Sequence, residues 1–262
     1  MTAIVFSKDR ALQLDAFLRS YARFVTPRVP VDVIWLPTSS RHARAYLDVF
    51  ARHPWVRQHR QGLLKQDVLD CLPATGCVAF FVDDLVFVRP WAVLEQPGLS
   101  LRLGLHLTRC YTAQAVQAIP PVTITDGIVQ WRWADGAGDW GYPLSLDGQL
   151  FDAAAIRPML AAIAFTSPNT LEAGLQRFFG EFRDQWGCCY TESRIVNVPW
   201  NRVQDDYDNR FARDPYAVPE RMLSFWEQGH QIDLAPLAGV VNVSCHQEFP
   251  LALQKRAHDR NY

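Results

Sequence analysis

Two adjacent acids, Asp83 and Asp84, interrupt a stretch that is apolar on both sides, Phe80-Phe81-Val82 before them and Leu85-Val86-Phe87 after. Carboxylates side by side in an apolar setting repel, and keeping both ionised is costly unless a cation or hydrogen-bond donors compensate. A hard divalent ion with oxygen ligands is the simplest compensation, and Mg²⁺ or Mn²⁺ would also grip a diphosphate. The doublet equally fits a strand end at which one Asp caps a turn and the other is solvated. His246, in Asn242-Val243-Ser244-Cys245-His246-Gln247-Glu248, lies late in the chain. A histidine there can return to the sheet edge and complete a metal site, or serve as a satisfied structural residue. Asp147, in Ser145-Leu146-Asp147-Gly148, and Glu172, in Ser167-Pro168-Asn169-Thr170-Leu171-Glu172, stand at the starts of helical patterns. Each fits a bland role, as a turn cap or a first-turn acid favoured by the helix dipole. Each also fits a general base for an acceptor hydroxyl. Pro199-Trp200-Asn201-Arg202-Val203-Gln204 is a polar patch after a strand, or a loop held by Asn side-chain hydrogen bonds.

The elements that must position these residues alternate in the first half. Residues 3–6 read as a short buried strand, ended by Ser7-Lys8-Asp9-Arg10, with Asp9 placed to cap a helix ended by Pro27 and Pro30. A strand over 31–36, the loop Pro37-Thr38-Ser39-Ser40, a helix over 41–52, a short strand near Val56 and a helix over 63–72 follow. Residues 77–82 are the most strongly apolar strand and end at Asp83. Strand–helix alternation implies right-handed crossovers and a mostly parallel sheet flanked by helices, an α/β fold. In such sheets ligands bind beyond the carboxyl ends of the strands, where Ser7 to Arg10, Thr38 to Ser40, and Asp83-Asp84 converge.

The second half predicts a strand over 99–107, a hairpin across 128–133, helices over 151–164 and 171–182 with Thr170 as a cap, a strand over 194–198 and a helix near 219–229. Trp131, Trp133, Trp140 and Trp186 belong to this half. Most of them are expected in the core, with one or two offering an aromatic face to a sugar. No repeat or linker divides the 262 residues, so a single domain is expected.

A net charge of −1 with scattered Lys and Arg argues against nucleic acid as a partner. The six cysteines form no CxxC pair, so neither a zinc ribbon nor a thioredoxin-like site is indicated, and reduced core thiols are the expectation. The opening MTAIVFSKDR has apolar residues only from Ala3 to Phe6 and does not read as a secretion leader. No run approaches the ~20 apolar residues needed to span a bilayer. The chain is expected to be soluble and cytoplasmic, with at most peripheral membrane contact.

Taken in order, Phe6-Ser7-Lys8-Asp9-Arg10 with Gln13-Leu14, Phe81-Val82-Asp83-Asp84, Ser100-Leu101-Arg102-Leu103-Gly104, Ser145-Leu146-Asp147-Gly148, Pro168-Asn169-Thr170-Leu171-Glu172, Pro199 to Gln204 and Ser244-Cys245-His246 resemble the GT-A-fold glycosyltransferases, in particular a bacterial group related to family 2. The resemblance implies a Rossmann-like domain with a nucleotide-binding half (1–107) and an acceptor-binding half (108–262). It implies a nucleotide-sugar donor, most often UDP-linked, Mn²⁺ or Mg²⁺, a glycan or small-molecule acceptor, and a place in surface polysaccharide or glycan assembly. Asp84 would hold the metal and Asp83 the ribose or a metal-bound water, although Asp83-Asp84-Leu85 departs from the strict Asp-x-Asp spacing. His246 matches a late metal-binding histidine. Ser7, Asp9, Arg10 and Ser39 fall on the loops that wrap the nucleotide. Arg10 or Arg102 would add positive charge at the departing diphosphate. In inverting members the base lies near the start of a helix after the metal motif, a place that Glu172 best matches, with Asp147 second; in a retaining member neither need act as base.

Two other readings compete. A sugar-phosphate nucleotidyltransferase would share the sheet and the carboxylates, but usually carries a Gly-rich basic loop after the first strand, where this chain has Ser-Lys-Asp-Arg. A non-catalytic sugar-binding or scaffold protein of the same fold would turn Asp147 and Glu172 away from the cleft.

Overall fold

The computed structural model describes residues 1–256. Its strands used below are β1 (Thr2–Lys8), β2 (Val31–Leu36), β3 (Arg57–Arg60), β4 (Cys77–Val82), β5 (Leu85–Phe87), β6 (Leu99–Ser100), β7 (Thr123–Thr125), β8 (Ile128–Arg132), β9 (Gln149–Asp152), β10 (Trp186–Tyr190) and β11 (Ile195–Asn197). The helices are α1 (Ala11–Phe24), α2 (Ser40–Arg52), α3 (Leu64–Cys71), α4 (Ala153–Ala162), α5 (Pro168–Leu175), α6 (Phe179–Phe182) and α7 (Pro219–Glu227). One nine-stranded sheet runs through both halves, in the order β7-β8-β10-β6-β9-β4-β1-β2-β3. Strands β4, β1, β2 and β3 are mutually parallel, so their carboxyl ends share one edge. Strand β9 runs antiparallel to β4 and joins this unit to a mixed second half. The expected α/β architecture, a central sheet flanked by helices, is the one observed. No helix among the described residues is long and apolar enough to cross a membrane.

Alternation along the parallel strands explains the layering. Ala3, Val5, Val31, Val33, Ala79 and Phe81 face α1, α2 and α7, packing against Phe17, Tyr21, Tyr46, Val49 and Trp226. Ile4, Phe6, Ile34, Val78 and Phe80 face α3, α4 and α5, packing against Val68, Ile156, Leu160 and Leu171. Strands covered on both faces read as near-continuous apolar runs, which is why 31–36, interrupted only by Asp32, and 77–82 are legible in sequence to the residue.

Several local expectations need correction. Asp9 does not cap α1. It has φ 53°, a left-handed conformation that Asp tolerates, and its carboxylate accepts from the Thr38 N–H and hydroxyl at 2.8 and 2.7 Å. The α1 cap position is Arg10, which supplies no side-chain hydrogen bond. Asp147 caps no helix either. Asp152 caps α4, and Phe151 lies in β9 rather than in a helix. Ser167, not Thr170, is the α5 cap, with Thr170 reciprocating in a capping box. The strand over 99–107 shrinks to Leu99–Ser100, because Leu103 and Leu107 pack in a separate cluster with Trp131, Trp133 and Trp140. Those three tryptophans meet edge to face, with centroids 4.8 and 4.9 Å apart, and are core. Trp186 is exposed, and none of the four lines the cleft described below. Five cysteines are buried, Cys71 is half-buried, and all six are unpaired.

Candidate functional site

The site begins where β4 stops. Strand β1 lies beside β4 with Phe6 opposite Val82, so Ser7 near the end of β1 reaches the acids just past the end of β4. The Ser7 hydroxyl donates to Asp83 Oδ2 at 2.7 Å and shares a 2.7 Å hydrogen bond with the Tyr46 hydroxyl from α2. Arg10 Nη1 bridges the doublet, donating to Asp83 Oδ1 at 3.0 Å and Asp84 Oδ2 at 2.8 Å. Its Nε donates to Asn201 Oδ1 at 2.9 Å, and its Nη2 to the Asn201 carbonyl. Asn201 Nδ2 in turn holds the Ala217 carbonyl at 2.7 Å. Asn201 therefore acts as loop fastener and second-half anchor for Arg10 together.

After the doublet the chain turns into β5, which pairs antiparallel with β11 and sets Leu85 opposite Asn197. Asn197 Nδ2 donates to Asp84 Oδ1 at 3.0 Å. The late segment of the chain zips along the other side of β11, the Asn197 N–H donating to the Cys245 carbonyl and the Gln247 N–H to the Asn197 carbonyl, both at 2.9 Å. That pairing delivers His246, whose Nε2 lies 3.0 Å from Asp147 Oδ2. Asp147 is held in the wall by Gly148 (φ 69°), whose N–H donates to the Phe80 carbonyl at 2.8 Å. The left-handed φ of Gly148 favours glycine, and a Cβ there would displace the end of the Ile195 side chain. Glu172, in the first turns of α5, accepts from the Leu146 N–H at 2.9 Å.

These side chains face one cleft of about 800 Å³, lined among others by Ser7, Arg10, Asp83, Asp84, Asp147, Glu172 and His246. That volume suits a small-molecule or cofactor site. Asp83 and Asp84 are only 3% and 8% exposed, which excludes the solvated-turn reading of the doublet. Asp147 and Glu172 both border the cleft, against the expectation for a non-catalytic descendant of the fold.

Burial sets the electrostatics. It raises Asp83 to about 6, with the Arg10 guanidinium opposing and the Asp84 charge adding to the shift. It raises Asp84 as well, Arg10 again opposing and Asp147 adding. Burial alone would raise Asp147, but the hydrogen bond and charge of His246, with Arg102 beyond, hold its carboxyl below the usual range. His246 is the mirror case, since burial is outweighed by Asp147 and its pKa rises. Glu172 is pushed up to about 6, first by burial and then by the Asp147 charge. Two carboxyls in one wall, one held ionised and one raised toward neutrality, have the separation expected of distinct roles.

Arg10 is the counter-charge to both acids, with 11% of its side chain exposed. Arg10→Met leaves two buried acids without their cation, and is expected to lower unfolding stability at neutral pH by about 3–5 kcal/mol. Urea denaturation checks this. Mn²⁺ at saturating concentration should restore part of the loss, because a divalent ion replaces the missing charge.

The sequence-predicted residues separate into groups. Ser7, Arg10, Asp83, Asp84, Asp147, Glu172 and His246 come together. Asp9 and Ser39 stand behind the wall: Asp9 ties the first loop to the second through Thr38, and Ser39 caps α2 by accepting from the His42 N–H at 3.3 Å. Arg102 borders the cleft but is 2% exposed, its Nη1 3.2 Å from Asp139 and its Nη2 donating to the Tyr142 carbonyl at 3.0 Å. Arg102 thus braces the wall with its charge already matched by Asp139. The three expected metal residues are not drawn to a single point, since Arg10 joins Asp83 to Asp84 and His246 reaches Asp147. Tyr46 and Asn197 escaped sequence reasoning. A neutral hydroxyl on an amphipathic helix and an amide ending a short apolar strand carry no local signal.

No family model matches the chain. It is 23% identical over 252 residues to a Dictyostelium discoideum protein named bifunctional glycosyltransferase pgtA, taking in 79% of this chain and 32% of that protein. The chain thus spans about a third of the length of this curated relative. Among solved structures, a 4-diphosphocytidyl-2C-methyl-D-erythritol synthase aligns with a TM-score of 0.38 at 15% identity, over 66% of this chain and 84% of that one.

Proposed function

We propose that the chain is a glycosyltransferase that moves a sugar from a nucleotide diphosphate donor to an acceptor hydroxyl with help from a divalent ion. The observation that carries this reading is the buried doublet at the tip of β4, facing a cleft that also holds the His246–Asp147 pair and Glu172. The 23% identity to a protein named as a glycosyltransferase supports transferase chemistry.

The donor set suits Mn²⁺ or Mg²⁺. Two carboxylates share one guanidinium, which leaves a net negative charge beside a third acid. His246 spends Nε2 on Asp147, and its Nδ1 is buried with no hydrogen-bond partner among the described residues. Asn197 Oδ1 is a second buried atom of that kind. Asp84, Asp83 and His246 are the residues that would hold the ion, which requires them to draw together from the positions they take on Arg10 and Asp147. When bound, it supplies positive charge to the diphosphate as the sugar bond breaks.

The chain's own groups do the rest. Arg10, which borders the cleft beside the doublet and is anchored by Asn201, would add positive charge at the diphosphate. Asp147 orients the His246 imidazole, as carboxylates orient metal-ligating histidines. Glu172 accepts the acceptor hydroxyl's proton, since a carboxyl near neutrality is better matched to that task than the strongly ionised Asp147. Residues 1–107 would hold the nucleotide and 108–262 the acceptor. UDP is the nucleotide favoured by the sequence resemblance, and glycan or surface polysaccharide assembly is the corresponding setting.

A panel of nucleotide sugars incubated with the chain and Mn²⁺ is expected to release free nucleotide diphosphate, faster with an acceptor present. Pyrophosphate formation from a nucleoside triphosphate and a sugar phosphate would instead select the nucleotidyltransferase reading. Silence across the panel would select the binding-protein reading.

A further inference from the structure

A second set of ligating side chains lies away from the cleft. Asp32 sits near the start of β2, His59 on β3 and Cys71 at the end of α3, and one ligand atom from each falls within 4.8 Å of the other two. Among the described residues this is the one such set of three. The sheet register explains the convergence. Ile34 pairs with His59 and Asp32 with Arg57, so Asp32 and His59 project to the same face two residues apart. Helix α3 packs on that face through Leu64 and Val68, which brings Cys71 over it. Ile4, the partner of Asp32 on β1, precedes Ser7 by three residues, about 10 Å along the strand. The set is also two strands away from β4.

Asp32 is anomalous in this setting. Its side chain is 3% exposed on a face otherwise filled by Ile4, Ile34, Leu64 and Val68. Its Oδ1 lies 2.7 Å from His59 Nε2, and its Oδ2 takes a hydrogen bond from Arg57, a half-exposed side chain. One oxygen is therefore matched by a guanidinium and the other by an imidazole, with the Cys71 sulfur within 4.8 Å of the group.

We infer that Asp32, His59 and Cys71 form a three-ligand site for a borderline-soft divalent ion of the Zn²⁺ class, clamping α3 and the edge strand β3 to β2. One carboxylate oxygen, one imidazole nitrogen and one sulfur, with a fourth position left to water, is a donor set that Zn²⁺ accepts at about 2.0–2.3 Å. Seating an ion at those bond lengths requires the sulfur to close on the other two atoms by up to roughly an ångström and the 2.7 Å carboxylate–imidazole pair to open by about half an ångström. Binding converts the Cys71 thiol to a metal thiolate, and the proton leaves to solvent. Arg57 keeps the second oxygen of Asp32.

Cobalt(II) titration under a non-thiol reductant tests this, because a thiolate ligand gives a near-ultraviolet charge-transfer band that an oxygen and nitrogen site does not. One equivalent is expected to develop the band, and added Zn²⁺ to bleach it. Cys71→Ser should abolish it, and Asp84→Asn, in the cleft, should leave it intact. His59→Ala, a change at a side chain 40% exposed and so tolerable to the fold, should weaken Co²⁺ binding at least ~10-fold. A native chain that develops no band, a band that survives Cys71→Ser, or one removed by Asp84→Asn would each overturn the site.

Discussion

Replacing Glu172 with Gln is expected to lower kcat by about 100- to 10,000-fold, the usual worth of a positioned general base. Donor binding should be unchanged. The amide is nearly isosteric, and its carbonyl can still accept from the Leu146 N–H as the native side chain does at 2.9 Å. A loss confined to kcat, read by steady-state nucleotide release at saturating donor, separates a base from a binding residue. The pH dependence should report the same group. The base works ionised, and burial with the Asp147 charge places Glu172 at about 6. The rate therefore falls as pH drops through about 6 and levels off above it. Asp83 also lies at about 6 without metal, but saturating Mn²⁺ holds it ionised, so the remaining acid limb belongs to Glu172. In Glu172→Gln that limb should flatten. Asp147→Asn should retain the limb but move it to lower pH, since the Asp147 charge that helps raise Glu172 is gone.

Asp84→Asn carries the other large effect. Turnover at fixed Mn²⁺ should drop at least ~100-fold, as expected when a metal-binding carboxylate is removed from a site built on charge neutralisation. Unfolding is not the cause to expect. Burial raises the Asp84 pKa above its unfolded value, with Asp147 adding and Arg10 opposing. A carboxyl with that sign of shift gains its proton more readily when folded. It costs stability at neutral pH, where it must ionise, and the cost fades as pH falls. The amide removes that cost while losing one charge-assisted bond to Arg10, so the variant should melt close to the native chain. Activity lost with stability kept marks a residue retained for chemistry rather than for folding.

How much of this was legible depends on whether the signal was local. Strands β2 and β4 are buried on both faces, so their bounds follow from apolar runs, unbroken in β4 and interrupted only by Asp32 in β2, and the doublet falls at the tip of β4 by simple reading. The convergence of Ser7 and Arg10 on that tip follows from parallel order. Asp9 misled because an acid before a helix is ordinarily a cap. Here a left-handed backbone turns its carboxylate to Thr38. Phe151 misled because an apolar run ahead of a helix has no visible seam, and the break comes from Asp152 capping α4. Neither the His246–Asp147 contact nor the role of Asn197 has any local trace. Both arise from the β5–β11 pairing and the late segment laid along it, contacts that span more than a hundred residues in the Asn197–Asp84 case. The Asp32, His59 and Cys71 group was invisible for the same reason. Three residues on three elements meet only through strand register and helix packing.

Calorimetric titration of UDP, with Mn²⁺ or with a chelator, into the native chain and Asp84→Asn bears most directly on the acidic doublet as a metal–diphosphate site. Saturable binding to the native chain in Mn²⁺ is expected, weakened at least ~10-fold both by the chelator and by the substitution. Equal affinity in all four titrations, or none with any nucleotide diphosphate tried, would contradict it.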